Sequence, residues 1–189
     1  MIKTKRTRNI RPGGAKQKTV PKPTAGEAEV RARVLAGRLG RLLLKRGWMC
    51  ACAESCTGGF LAQTITAIPG SSNWFDRGFV TYSNLSKTQL LGVPARVIAR
   101  YGAVSEATAR AMVEGALRAG AVQVAAAVTG IAGPGGGRPG KPVGTVFVAI
   151  ARKGGETASE RCRFHGGRQA VRQAAVIAAL EGLCKRVRN

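Results

Sequence analysis

The sequence is short of acid, of histidine and of aromatic side chains. Nine Asp and Glu stand against 31 Lys and Arg, a formal charge of +22 over 189 residues. His165 is the only histidine and Asp76 the only aspartate. A Ser-His-Asp triad would therefore have to be drawn from that one pair. Two Trp and two Tyr leave no evident stacking platform for single-stranded nucleic acid. No apolar run approaches the roughly 18 residues that cross a bilayer, so no membrane span is expected. The first 24 residues hold no apolar stretch of the kind that marks a secretory leader. Five cysteines are an odd number in a chain long enough to bury its own core. That argues against a disulfide framework and for a reducing, cytoplasmic setting. Cys50, Cys52 and Cys56 form C-x-C-x3-C without the second ligand pair a structural zinc would use, and Cys162 and Cys184 stand far off. They read better as small buried apolar residues, with no metal expected.

What is present is an ordinary apolar content of 44%, many glycines and unevenly placed positive charge. Residues 1–24 carry eight bases, no acid, Pro12, Pro21, Pro23 and the Gly13-Gly14 pair. This composition reads as a disordered basic tail. Residues 25–189 then form one domain, with 23 bases against 9 acids. The charge is compatible with nucleic acid bound through the tail, with attraction of a small anion, or with a solvated basic surface.

Hydrophobic spacing predicts a helix over 27–46, with Val30, Val34, Leu35, Leu39, Leu42 and Leu43 at helical intervals. A buried strand is predicted over 48–53, a helix from Phe60 to the Pro69 stop, and a strand over 78–82, with Asp76 left in a loop. Ser83 is a candidate cap for a helix reaching Leu91, and Gly92 stops it. Pro94 opens another helix to Tyr101, and Ser105 caps a longer one bearing Ala109, Met112, Val113 and Ala116 on one face. A strand over 122–128 leads to a loop from Thr129 to Lys141. Strands over 143–151 and 157–164 make a hairpin, and a helix spans about 168–186. Alternating helices and strands with one hairpin predict a three-layer α/β/α fold on a mixed central sheet.

Three polar, glycine-rich loops interrupt this pattern, at 54–59, 129–141 and 165–168. Loops at strand ends are the usual home of ligand sites in α/β sheets. The first sets Ser55 between a strand and a helix, where backbone N–H groups can stabilise an oxyanion. From this loop alone, the plainer reading is that Ser55 or Thr57 caps the helix. In the second loop, Gly135 to Lys141 satisfies G-x4-G-K. Pro142, however, stands where a phosphate-binding loop needs Ser or Thr, and a strand follows in place of a helix, so an ATPase is rejected. Lys87 lies on the first turn of its helix. Burial or neighbouring positive charge would make it a usable base, although by composition alone a lysine there is more often a surface residue.

Four ordered segments then act together. They are Ala53-Glu54-Ser55-Cys56-Thr57-Gly58-Gly59, Gly78-Phe79-Val80-Thr81-Tyr82-Ser83-Asn84 with Lys87, Gly102-Ala103-Val104-Ser105, and Thr129-Gly130-Ile131-Ala132-Gly133-Pro134 running on to Lys141-Pro142-Val143-Gly144-Thr145-Val146. With them the chain closely resembles the CinA C-terminal domain family over about residues 27–186. Characterised members of that family are nicotinamide-nucleotide amidohydrolases of the PncC type. The resemblance implies hydrolysis of nicotinamide mononucleotide to nicotinate mononucleotide and ammonia in pyridine nucleotide salvage. It implies a small nucleotide substrate, no cofactor, self-association into a homo-oligomer and a stand-alone form of the domain. It further implies that Ser55 is the nucleophile, Lys87 the general base and Tyr82 a support for the pair or the ligand. Thr129 beside Gly130 would line the site and Arg168 would aid substrate binding. The amides of Thr57, Gly58 and Gly59 are expected to hold the oxyanion. One departure stands out: Gly166-Gly167-Arg168 replaces the family's common Gly-Asp-Arg. That change leaves open a catalytically weak nucleotide-binding module.

Overall fold

The computed structural model of the protein describes residues 24–189, and the basic segment 1–23 lies outside the described residues. Helix α1 (Ala25–Arg46) starts at a capping box: Glu27 N–H donates to Thr24 Oγ1, and the Glu27 carboxylate accepts from Thr24 N–H. Gly47 closes it in the left-handed region at φ 61°. The chain continues through β1 (Cys50–Glu54), α2 (Phe60–Thr66), a 3₁₀ turn at Ser71–Asn73, β2 (Phe75–Val80), α3 (Asn84–Leu91), α4 (Ala95–Tyr101) and α5 (Glu106–Ala119). It ends with β3 (Val124–Gly130), β4 (Thr145–Arg152), β5 (Ala158–Arg163) and α6 (Arg168–Arg188).

The five strands form one mixed sheet in the order β2-β1-β3-β4-β5. Strand β1 pairs parallel with both β2 and β3, while β3-β4 and β4-β5 are antiparallel. Side chains alternate across the sheet. Cys50, Cys52, Val124, Ala126, Val128 and Val148 pack with α1, α2 and α6 on one face. Ala51, Ala53, Ala125, Ala127 and Ala149 pack with α4, α5 and the end of α3 on the other. Two covered faces are why β1 up to Ala53 and β3 up to Val128 read as unbroken apolar runs. The predicted three-layer, single-domain α/β fold on a mixed sheet is the fold observed.

Several local readings shift. On α1, Val30 and Val34 are 64% and 62% exposed, and the buried stripe runs instead through Ala28, Ala32, Ala36, Leu39 and Leu43. Small side chains let α1 lie close against α6, so alanine, not valine, marks the inward face. Strand β2 begins at Phe75, which places Asp76 in a strand instead of a loop. It is an edge strand, and its exposed positions tolerate the Asp76–Arg77 ion pair that disguised it. Pro94 precedes α4 as its N-cap, one position before its expected place at the helix start. Thr129 and Gly130 belong to the end of β3, opposite Phe147 and Val146 of β4, so the loop starts at Ile131.

The strand order has a functional consequence. Because β2, β1 and β3 run parallel, their carboxyl ends lie side by side. Thr81–Tyr82, Ser55 and Thr129, far apart in sequence, therefore meet at one edge of the sheet.

Candidate active site

Ser55 follows the last residue of β1 and is still hydrogen-bonded to β3, its N–H donating to Val128 O at 2.9 Å. Beyond it the chain turns through Gly58 and Gly59, at φ 60° and 93°, backbone angles that a side chain would strain. Glu54, fully buried, points its carboxylate into this turn. Oε2 accepts from Gly59 N–H (3.0 Å) and Leu61 N–H (2.9 Å), and Oε1 accepts from Ala62 N–H (2.8 Å). From α6, the Arg172 guanidinium donates twice to Thr57 O, at 2.7 and 3.2 Å, and lies over the Phe60 ring.

Lys87 sits on the first turn of α3. The Ser83 hydroxyl starts that helix by accepting from Ser86 N–H at 3.0 Å. The lysine is 1% exposed. Its Nζ lies 3.1 Å from Ser55 Oγ, 2.7 Å from Thr81 O and 3.5 Å from Ser83 O. Burial lowers its proton affinity below the ordinary lysine value, against a smaller opposing effect of Cys56. The nearest buried carboxylate, Glu54, is engaged with α2. Two carbonyls and one hydroxyl surround the amine. As an ammonium Lys87 donates to all three; deprotonated, it directs two N–H bonds at the carbonyls and leaves the nitrogen lone pair for the Ser55 hydroxyl proton.

The pair opens into a cleft of about 290 Å³. Tyr82 and Asn84 line one side, Ala103 and Val104 another, and Thr129 to Gly133 with Gly135 and Gly136 a third, with Arg168 at the mouth. Among the described residues no acidic side chain lines it. Thr129, fully buried, donates to Ala103 O at 2.8 Å and so ties β3 to the 102–105 loop. Lys141 donates to Val104 O (2.6 Å) and Tyr101 O (3.1 Å) and braces the same loop. That is the use made of the lysine in the false phosphate-loop motif. Arg168 donates to Gly133 O (2.9 Å) and to the Tyr82 hydroxyl (2.7 Å). Those two partners orient it where Gly167 offers no carboxylate.

Six expected residues thus converge on one cleft: Ser55, Lys87, Tyr82, Thr129, Gly130 and Arg168. Tyr82 contacts Arg168 through its hydroxyl, with no hydrogen bond to Ser55 or Lys87. Thr57, Gly58 and Gly59 lie behind the serine, outside the cleft lining. Gly58 N–H donates to Ser55 O and Gly59 N–H to Glu54, so neither is free for an oxyanion, whereas the N–H groups of Cys56 and Thr57 have no acceptor among the described residues. His165 is exposed and outside the cleft. Cys50, Cys52 and Cys56 are buried free thiols, and among the described residues no three His, Cys, Asp or Glu are grouped to hold a metal. Glu54 and Arg172 were not foreseen. Glu54 did leave a signal, as the only charged residue of an otherwise apolar strand.

The fold and the cleft define the class: an α/β protein with a serine hydroxyl and a buried lysine amine at the carboxyl ends of its parallel strands. The chain belongs to the CinA C-terminal domain family, whose model matches residues 32–187. A relative from Enterobacter agglomerans named nicotinamide-nucleotide amidohydrolase PncC is 48% identical over 86% of this chain and 99% of its own length. One of the same name from Pseudomonas putida is 52% identical over 79% of this chain and 92% of its own length. The crystal structure of the competence/damage inducible protein CihA from Agrobacterium tumefaciens superposes with a TM-score of 0.78 at 41% identity. That match covers 90% of this chain and 100% of the other.

Proposed function

We propose that the protein is a nicotinamide-nucleotide amidohydrolase, converting nicotinamide mononucleotide and water to nicotinate mononucleotide and ammonia by a serine–lysine mechanism. The observation that carries the mechanism is the 3.1 Å contact between Ser55 Oγ and a buried Lys87 amine with lowered proton affinity. The substrate follows from close relatives that bear this activity as their name.

In this reading, Ser55 Oγ attacks the carboxamide carbon while its proton passes to Lys87 Nζ. The developing oxyanion is met by the N–H of Cys56, which lines the cleft beside Ser55 and donates to no other residue among the described residues. Lys87 returns the proton to the nitrogen, ammonia leaves, and an acyl-serine remains. Water then attacks the ester carbon, giving its proton to the same amine, and Lys87 reprotonates Ser55 as the acid departs. Arg168 and the amides of the 132–136 loop receive the substrate phosphate, and an acid-free cleft raises no repulsion against it.

The test is incubation of the purified protein with nicotinamide mononucleotide, with chromatography of the pyridine product. Nicotinate mononucleotide equimolar with released ammonia is expected. Nicotinamide riboside, which lacks the phosphate, should show a raised KM. Conversion of the riboside with an equal KM would overturn the phosphate-binding role.

A further inference from the structure

Two charged side chains that take no part in the proposed chemistry grip the Ser55 turn from its two kinds of backbone group. Glu54 takes N–H groups and Arg172 takes a carbonyl. We propose that the two are positioning residues that set the direction of the Ser55 hydroxyl. The inference rests on Ser55 being the nucleophile.

A carboxylate buried in an apolar layer is costly unless its oxygens are fully hydrogen-bonded. Glu54 is fully buried and forms no ion pair among the described residues, and its oxygens are met instead by N–H groups of Gly59, Leu61 and Ala62. Its own carbonyl accepts from Thr81 N–H at 2.8 Å. The next carbonyl of that segment, Thr81 O, accepts from Lys87 Nζ at 2.7 Å. The residue before the serine is thus tied by its main chain to Thr81, whose carbonyl holds the Lys87 amine, and by its side chain to the far end of the turn. The Glu54–Ser55 peptide cannot rotate without breaking its carbonyl's bond from Thr81 N–H or its own N–H bond to Val128 O.

Arg172 acts on the middle of the turn. Its paired bonds to Thr57 O keep that carbonyl directed toward α6, and Phe60 beneath the guanidinium plane limits its travel. Planar, two-point donation of this kind is not reproduced by a lysine. Lys87 Nζ is held independently by Thr81 O, so it would not follow a drifting serine. Misplacement of about 1 Å is enough to lower a rate about 100-fold.

The experiment is steady-state hydrolysis of nicotinamide mononucleotide by wild type, Ser55→Ala, Glu54→Gln, Arg172→Met and Arg172→Lys, with rates taken per folded molecule from circular dichroism. Glu54→Gln presents an NH₂ group where an oxygen now accepts. It should lower kcat roughly 10- to 100-fold with KM within about twofold. Arg172→Met should do the same, and Arg172→Lys should recover only part of the loss. The Arg172 variants carry the test should Glu54→Gln fail to fold. Wild-type kcat in the folded Glu54 and Arg172 variants, with Ser55→Ala inactive, overturns this inference and leaves the nucleophile assignment standing. Wild-type turnover by Ser55→Ala overturns the assignment itself, and this inference with it.

Discussion

Lys87 is a lysine whose burial lowers its proton affinity. Burial disfavours the ammonium, Cys56 opposes this only weakly, and the positive end of α3 adds no stabilisation of positive charge. A base of this kind works when deprotonated, and its lowered proton affinity brings that form to lower pH. The rate of amide hydrolysis is therefore expected to rise with pH and level off, with a midpoint below the ordinary lysine value of 10.5. A pH–rate profile with its midpoint at or above that value would contradict the assignment. The same depression has a stability consequence. A group whose proton affinity falls on folding contributes its full stability above its unfolded-state value and loses it as pH falls through the folded-state value. Near neutral pH the folded protein carries this cost, so Lys87→Met should lose turnover while thermal melting is no lower than in wild type. Ser55, Lys87 and Arg168 were legible in the sequence because the proposed chemistry rests on their side chains. Glu54 and Arg172 were not, because they act on backbone groups, and a peptide N–H or carbonyl leaves no complementary residue type to notice. The engagement of the Gly58 and Gly59 amides was hidden for the same reason: composition does not show that Ser55 O and Glu54 already hold them.

Helix α3 carries Lys87, the proposed base, and its first turn depends on the reciprocal bonds between Ser83 and Ser86. Replacing Ser83 by Ala should cost about 1 kcal/mol of stability. Because Lys87 is on the turn that loosens, kcat should fall by more than the stability loss explains. Chemical denaturation and kinetics on the same sample would separate the two. The other end of α3 is packed against α5 through Gly115, where an added Cβ would lie 2.1 Å from the carbonyl oxygen of Leu91. Gly115→Ala should therefore destabilise the fold by about 1–3 kcal/mol, read as a lowered urea midpoint. The caps at Ser83 and Ser105 and the stops at Gly47 and Gly92 were legible because capping chemistry is local. The start of β2 and the inward face of α1 were not. An edge strand need not look apolar, and an alanine stripe is inward-facing only because α6 lies close beside it.

For the whole molecule, alternating helix and strand signals with one hairpin were enough to predict three layers. The order β2-β1-β3-β4-β5 was beyond reach, because pairing between distant strands is set by how the covering helices pack and leaves no local pattern. That order assembles the site. The charge of +22 was the sequence's most visible global feature, and it bears on function through the cleft. Residues 25–189 keep an excess of bases, and the cleft holds Lys87 and Arg168 with no acid. Attraction of a phosphate-bearing substrate should be screened by salt. The value of kcat/KM should fall as ionic strength rises, mainly through KM, and a salt-independent KM would sink the idea. The central claim, that the Ser55–Lys87 pair hydrolyses the carboxamide, is tested most directly by ammonia release from nicotinamide mononucleotide by wild type and Ser55→Ala, both verified as folded. Steady release by wild type and none by the variant is the predicted result. Equal release by both, or none by the wild type, would contradict it.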